Sequence, residues 1–253
     1  PPPAIGWGLP PARLPARSPI LAVTGVVVVV LLVAAAVVLR GDGGIDHPDE
    51  WDPRVVDLAA FVERERGIEF DHPVEVEFLS ADEYSDRVRG DETALTDADR
   101  ALIEESSTVL EALGLVPVGT DLFASSNEMA DSGTLAFYDP VTERVTVRGT
   151  EVTTDLEVTL VHELVHVAQD QAFDLERPPV ETSGASEAFH ALVEGAAVRI
   201  ELDYVDRMSS DEQAAYFADY AEAYDESRAA LTEVPPALQA MFAAPYVLGQ
   251  PVV

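Results

Sequence analysis

An uninterrupted apolar run near the N-terminus constrains the fold of this chain most strongly. Residues 20–39 read ILAVTGVVVVVLLVAAAVVL and contain no charged side chain. At a helical rise of about 1.5 Å per residue, such a run spans about 30 Å, the thickness of the hydrocarbon core of a bilayer. A cleaved signal peptide is the alternative, but its apolar core is only about 7–15 residues long. The run therefore predicts one retained N-terminal transmembrane helix.

The charges on either side of this run predict its orientation. Arg13 and Arg17 precede it, and no acidic residue occurs before Asp42. The positive-inside rule then places residues 1–19, a Pro-rich tail, in the cytoplasm. The same rule places the chain from residue 41 onward outside the cell. We expect a single-pass protein of the cell membrane with an extracytoplasmic main domain.

The composition excludes several classes of function and of site. The net charge is −32, with 47 acidic residues against 15 basic ones, all of them arginine. Such a surface repels phosphate, so nucleic acid is not an expected partner. The chain has no cysteine, which excludes disulfides and Cys-ligated metal. A metal site in this protein must therefore be built from His, Asp and Glu.

Hydrophobic periodicity predicts one domain over residues 54–253, after a Gly/Pro-rich linker at residues 40–53. Residues 73–79 alternate as a strand does, and residues 134–149 predict a β-hairpin around an Asp-Pro turn. Helical spacing is found over residues 54–66, 81–89, 97–113, 153–172, 184–208, 210–230 and 235–243. This order predicts an α+β fold, in which a small mixed or antiparallel sheet packs on a mainly helical half.

The segment TLVHELVHVAQD, residues 159–170, carries the pattern His-Glu-x-x-His. Positions four apart share one face of a helix, so His162 and His166 would project side by side. Imidazole is a good zinc ligand, at about 2.0–2.1 Å. Glu163 points about 100° away from His162, where it could accept a proton from a water molecule activated by the metal. The apolar flanks predict a buried helix, in which an ion would give both histidines a partner.

The next predicted helix offers the third ligand. Its sequence SEAFHALVEGAAVRIELDY places four metal-binding side chains on one stripe, namely Glu187, His190, Glu194 and Glu201. We favour Glu194 over Glu187 and His190, because Glu194 lies among apolar residues where its charge would need a cation. Gly195 and two alanines follow it, and small residues let two helices approach closely.

The stretches LVHELVHVAQDQAFDLE, ALVEGAA and PYVLGQ resemble motifs of the gluzincin zinc metallopeptidases. They are most similar to those of bacterial membrane-anchored neutral zinc metallopeptidases, chiefly over residues 156–200. The resemblance implies one Zn²⁺ per chain, held by His162, His166 and Glu194, with Glu163 as general base. It also implies a hydrolase that cleaves peptide bonds in a protein or peptide substrate.

The chain departs from that family at Ala196, where the family has an acid. An acid near the ligand glutamate usually orients a ligand histidine, and its loss can cost about 10–100-fold in metal affinity or activity. Three acids could replace it, namely Asp155, Glu187 and Glu201. The donor that stabilises an oxyanion is also open, with Tyr246, His190 and Tyr204 as candidates.

Two other functions fit parts of the same pattern. Glu163-x-x-His166 and Glu187-x-x-His190 match the paired motifs of di-iron carboxylate oxidoreductases. That interpretation leaves His162 without a role and requires an all-helical core. The departure at Ala196 is also compatible with a catalytically weak surface protein that keeps zinc for stability.

Overall fold

The structure is a computed structural model that describes residues 45–175 and 183–253. The predicted cytoplasmic tail, the transmembrane helix and the first part of the linker lie outside these described residues. Within them, the protein is mainly helical with one small sheet, which agrees with the predicted α+β class. No helix in the described ranges is both long enough and apolar enough to cross a membrane.

The described chain contains eight α-helices and three strands. The helices are α1 (Val56–Arg66), α2 (Ala81–Val88), α3 (Asp97–Ala112), α4 (Leu122–Gly133), α5 (Thr154–Phe173), α6 (Ser183–Val205), α7 (Ser210–Ala230) and α8 (Pro236–Gly249). The strands are β1 (Glu75–Leu79), β2 (Ala136–Asp139) and β3 (Arg144–Arg148). Helix α4 was not predicted, and α8 extends beyond the residues expected for it.

The three strands form a mixed sheet with the order β1-β3-β2. Strands β2 and β3 are antiparallel, with Asp139 opposite Arg144, so the predicted hairpin is confirmed. Strand β1 runs parallel to β3, with Glu75 also opposite Arg144. The central position of β3 leaves β2 as an edge strand, next to α5.

Local sequence signals set several helix ends. Ser80 and Thr96 each cap the helix that follows, α2 and α3, by accepting a hydrogen bond from the backbone N–H three residues on. The glutamate or aspartate at that third position bonds back to the capping residue, which completes a capping box. Gly67 ends α1 with a left-handed backbone, φ 66°, a conformation that glycine adopts without a steric penalty.

Helix α5 is the central element of the main hydrophobic core. Its apolar residues pack together with those of α1, α6 and the sheet, and Leu160, Val161, Leu164 and Val165 are fully buried. The prediction of a buried His-Glu-x-x-His helix is therefore confirmed. Polar side chains on such a helix must find partners within the protein.

Helices α6 and α8 touch through their backbones at Gly195 and Gly249. A Cβ added at Gly195 would lie 2.3 Å from the Gly249 carbonyl carbon, and one added at Gly249 would lie 1.9 Å from the carbonyl oxygen of Ala191. The small residues after Glu194 were expected to let two helices approach closely, and Gly195 does so against α8. Ala197, by contrast, packs in the main core with α5.

Candidate metal centre

Helices α5 and α6 bring the three predicted ligands together. The Oε2 atom of Glu194 lies 3.1 Å from Nε2 of His162 and 3.4 Å from Nε2 of His166. The side chains are nearly buried, with exposures of 9% for His162, 12% for His166 and 8% for Glu194. One donor atom from each residue lies within 4.8 Å of the other two, so the cluster could hold a metal ion.

The spacing of these donors suits a small divalent ion. Four ligands at about 2.0–2.1 Å in a tetrahedron lie about 3.3 Å from one another. The two distances from Glu194, 3.1 and 3.4 Å, are close to that value. Two imidazoles and one carboxylate also form a donor set that zinc accepts, with a fourth position left for water or substrate.

Glu201 holds the ring of His162 from the side away from Glu194. Its Oε2 atom lies 3.1 Å from Nδ1 of His162. A proton on Nδ1 donated to Glu201 leaves the Nε2 lone pair directed at the cluster. Of the three acids proposed to replace the missing one at Ala196, Glu201 is thus the one that contacts a ligand histidine.

Gln169 orients the second histidine, a role that the sequence analysis missed. Its Oε1 atom lies 2.9 Å from Nδ1 of His166, and its Nε2 donates to the carbonyl oxygen of Val193 at 3.0 Å. This bond to α6 identifies the amide oxygen as the atom that faces His166. The signal was available, since residue i+3 of a helix lies on the same face as residue i.

Burial and neighbouring charges act in opposite directions on the pKa values of His162 and Glu194. Burial alone would lower the pKa of His162, but the hydrogen bonds to Glu194 and Glu201 raise this pKa well above its ordinary value. Burial alone would raise the pKa of Glu194, yet the charge of His166 and the bond to His162 hold this pKa well below its usual range. A buried, negatively charged carboxylate thus faces two imidazoles. Protons on these imidazoles, or a metal ion bound to them, can balance its charge.

Glu163 lies beside the ligands and is held by the sheet. Its Oε2 accepts a hydrogen bond of 2.8 Å from the backbone N–H of Tyr138 in the edge strand β2. Burial raises the pKa of Glu163, while the neighbouring charges of His166 and His162 lower it. The net pKa is raised, so Glu163 binds a proton more readily than an ordinary glutamate does.

A cavity of about 450 Å³ opens at this centre. His162 and Glu163 line it from α5, and Tyr246 lines it from α8. Tyrosines and acids complete much of the wall, including Tyr216, Tyr220, Tyr224, Glu201 and Glu226. A ligand in this cavity would therefore lie against His162, one member of the cluster, and against Glu163.

Among the three candidates for an oxyanion donor, Tyr246 is the one that lines the cavity. Its ring centroid lies 5.9 Å from that of His162. Burial and the nearby charges of Glu194 and Glu163 raise the pKa of Tyr246 well above its ordinary value, so its hydroxyl keeps the proton. A neutral hydroxyl can donate a hydrogen bond to developing negative charge.

The other two candidates lie differently. Nε2 of His190 is 3.2 Å from Oε1 of Glu194, so His190 steadies the ligand carboxylate. The hydroxyl of Tyr204 donates to Glu157 at 3.2 Å, and its ring packs edge-on against Phe61.

Comparison with known proteins adds no assignment to this geometry. No protein family, no curated protein and no solved structure matches the chain. The geometry of the site is therefore the basis for assigning a function.

Proposed function

We propose that this protein is a zinc-dependent metallopeptidase. The observation that carries the proposal is the convergence of His162, His166 and Glu194 on one point beside Glu163, next to an open cavity that His162 and Glu163 line. The outer nitrogen of each imidazole already has a partner, which leaves the inner nitrogens available to a metal ion.

Zinc bound there would supply Lewis-acid chemistry, polarising a peptide carbonyl and lowering the pKa of a water molecule. Glu163 accepts the proton of that water and delivers it to the leaving amine. Tyr246 donates a hydrogen bond to the oxyanion that forms as the carbonyl is attacked. Glu201 and Gln169 keep the two imidazole rings oriented throughout.

The di-iron alternative receives less support from the same geometry. It needs Glu163, Glu187 and His190 as ligands of a shared centre. In the described residues, neither Glu187 nor His190 is among the side chains whose donor atoms converge with those of His166. His190 instead faces the outer oxygen of Glu194.

Hydrolysis of denatured casein by the full chain tests this proposal, with zinc content measured in parallel. We expect one zinc ion at the centre, activity that a chelator removes and zinc restores, and a loss of about 10²–10⁴-fold in kcat for Glu163→Gln. Glu151→Gln, at an exposed glutamate, is the matched control.

Two results would contradict the proposal. Full activity in Glu163→Gln would exclude Glu163 as the base. Zinc bound at the centre without turnover would support the alternative of a zinc-binding surface protein.

We also infer that residues 20–39 anchor the protein in the cell membrane with its active domain outside. Resistance of the full chain to alkaline extraction from membranes, and its release when residues 1–40 are deleted, would support this anchor.

A further inference from the structure

The five histidines of the chain fall into two clusters. Three lie around Glu194, and the other two, His47 and His72, lie around Glu143. Nε2 of His72 is 3.3 Å from Oε2 of Glu143, and Nε2 of His47 is 3.7 Å from the same oxygen. Donor atoms of all three residues lie within 4.8 Å of one another, so this group repeats the composition of the first centre.

The three residues come from segments that are distant in sequence. His47 precedes α1, His72 lies between α1 and β1, and Glu143 lies in the turn between β2 and β3. The rings of His47 and His72 stack with centroids 3.6 Å apart, which places both Nε2 atoms beside one carboxylate oxygen. Because the lone pairs of stacked rings run side by side, binding a single ion would tilt these rings so that they converge.

One oxygen of the Glu143 carboxylate has no hydrogen-bond partner in the part of the chain that the structure describes. This atom, Oε2, is buried, and neither imidazole reaches it with the geometry of a hydrogen bond. A buried carboxylate oxygen without a partner is costly, and a cation between the three donors would satisfy it. This observation points to an ion as the missing member of the group.

His72 is held in an orientation that suits a ligand. Its Nδ1 atom lies 3.2 Å from the carbonyl oxygen of Pro73, to which it donates in one tautomer, and 3.3 Å from Nε2 of Gln171, from which it accepts in the other. A proton on Nδ1 donated to Pro73 leaves Nε2 free to bind a metal. Gln171, near the end of α5, also donates to the carbonyl of His72 and accepts from the N–H of Asp71, which fixes this loop on α5.

We propose that His47, His72 and Glu143 form a second metal site, which binds a divalent ion of the zinc class. Two imidazoles and one carboxylate suit zinc, whereas calcium and magnesium prefer oxygen ligands. An ion there ties the segment before α1 and the loop after α1 to the β2–β3 turn. It therefore acts as a structural cross-link on the sheet side of α5, separate from the cavity.

Titration of the metal-free full chain with Zn²⁺ tests this site. We expect two ions per wild-type chain and one in the variant His47→Ala/His72→Ala. In Glu194→Gln, which disables the first centre, Zn²⁺ should still raise the unfolding temperature. Adding Glu143→Gln to that variant should remove most of the increase and weaken the remaining binding at least about tenfold.

Control variants make the outcome specific. Glu50→Gln, at an exposed acid near His47, should keep both ions. His47→Ala alone alters a segment outside the helices and strands, so it tests the site even if Glu143→Gln fails to fold. One ion per wild-type chain that is lost in Glu194→Gln, or two ions retained in His47→Ala/His72→Ala, would overturn the second site without affecting the first.

Discussion

The two histidine clusters share a donor set but differ in burial and in the kind of backbone segment that carries the donors. The side chains of the deep cluster, His162, His166 and Glu194, are 8–12% exposed and project from two packed helices. Those of the shallow cluster, His47, His72 and Glu143, are 24–29% exposed and project from loops and a turn. Rigid helices place donors before the ion arrives, whereas loops lose freedom on binding. The deep cluster is thus suited to catalysis and the shallow one to cross-linking.

The same substitution made in both clusters should give the largest contrast. Glu194→Gln should lower the zinc affinity of the deep cluster at least about a hundredfold and abolish hydrolysis, because it also leaves two buried imidazoles without their carboxylate. Glu143→Gln should lower the zinc affinity of the shallow cluster by a smaller factor, since solvent already competes there. Competition with a chromophoric chelator measures both affinities. Equal losses would show that depth does not separate the two clusters.

The next largest effect, on kcat, should come from Tyr246, which lies beside the deep cluster and has no counterpart at the shallow one. Tyr246→Phe should reduce kcat about 10²–10³-fold with little change in KM, because the hydroxyl acts on the transition state. Tyr224→Phe is the matched control, since Tyr224 lines the same cavity from α7. Steady-state kinetics on a fluorogenic peptide would separate the two parameters. A change confined to KM would instead assign Tyr246 to substrate binding.

A smaller effect should follow from removing the charge behind His162. Glu201→Gln should cost about 10–100-fold in zinc affinity or in kcat, because Glu201 orients the ring and raises its basicity. Glu226→Gln, in the same cavity wall, should have much less effect on zinc. Metal-content analysis and kinetics of the two variants, compared at equal free zinc, would show the difference. Identical behaviour would mean that the bond to Nδ1 of His162 is dispensable.

The stability of the metal-free protein and the zinc affinity of the deep cluster should both depend on pH. In the metal-free protein, the pKa of His162 lies well above about 6.5, so the folded state retains a proton that the unfolded chain releases above that pH. Metal-free stability should therefore fall as the pH rises through the folded pKa. Zinc affinity should rise over the same range, by about tenfold per pH unit for each proton displaced. Unfolding curves with and without zinc at several pH values would reveal a zinc effect that grows with pH; one that shrinks would contradict it.

The smallest effect should appear at the residue that positions the shallow cluster. Gln171→Ala removes the bonds to Asp71 and His72, which should weaken zinc binding there by a few-fold. The deep cluster should keep its affinity, although Gln171 lies on the same helix. Zinc titration of Gln171→Ala in the Glu194→Gln background isolates this change. A larger loss at the deep cluster would show that α5 couples the two.

Much of the deep cluster could be predicted from the sequence because its geometry is local. Residues four apart on one helix define the positions of His162 and His166, and burial within an apolar stretch identifies Glu194. The β2–β3 hairpin was likewise predicted from two β-rich runs around a short turn. Each of these signals depends on neighbours within a few residues.

The features that escaped prediction depend on tertiary packing. His47, His72 and Glu143 come together only when the segments around α1, β1 and the hairpin pack against one another. No short-range sequence pattern indicates this packing. Helix α4 has the sequence LFASSNEMADSG, whose polar residues give weak helical periodicity. It forms because Leu122 and Met129 pack in a second core with residues of α3 and α8. For the same reason, the sequence did not indicate that the close approach at Gly195 is to α8.

The contact between Gly195 and Gly249 limits how the cavity can be redesigned. With no side chain between them, the separation of α6 and α8 is set by main-chain atoms, which cannot be trimmed or enlarged by substitution. The position of the wall that carries Tyr246 is therefore set by the backbone, and the shape of the cavity can be changed instead at its other walls, among them the tyrosine-rich helix α7.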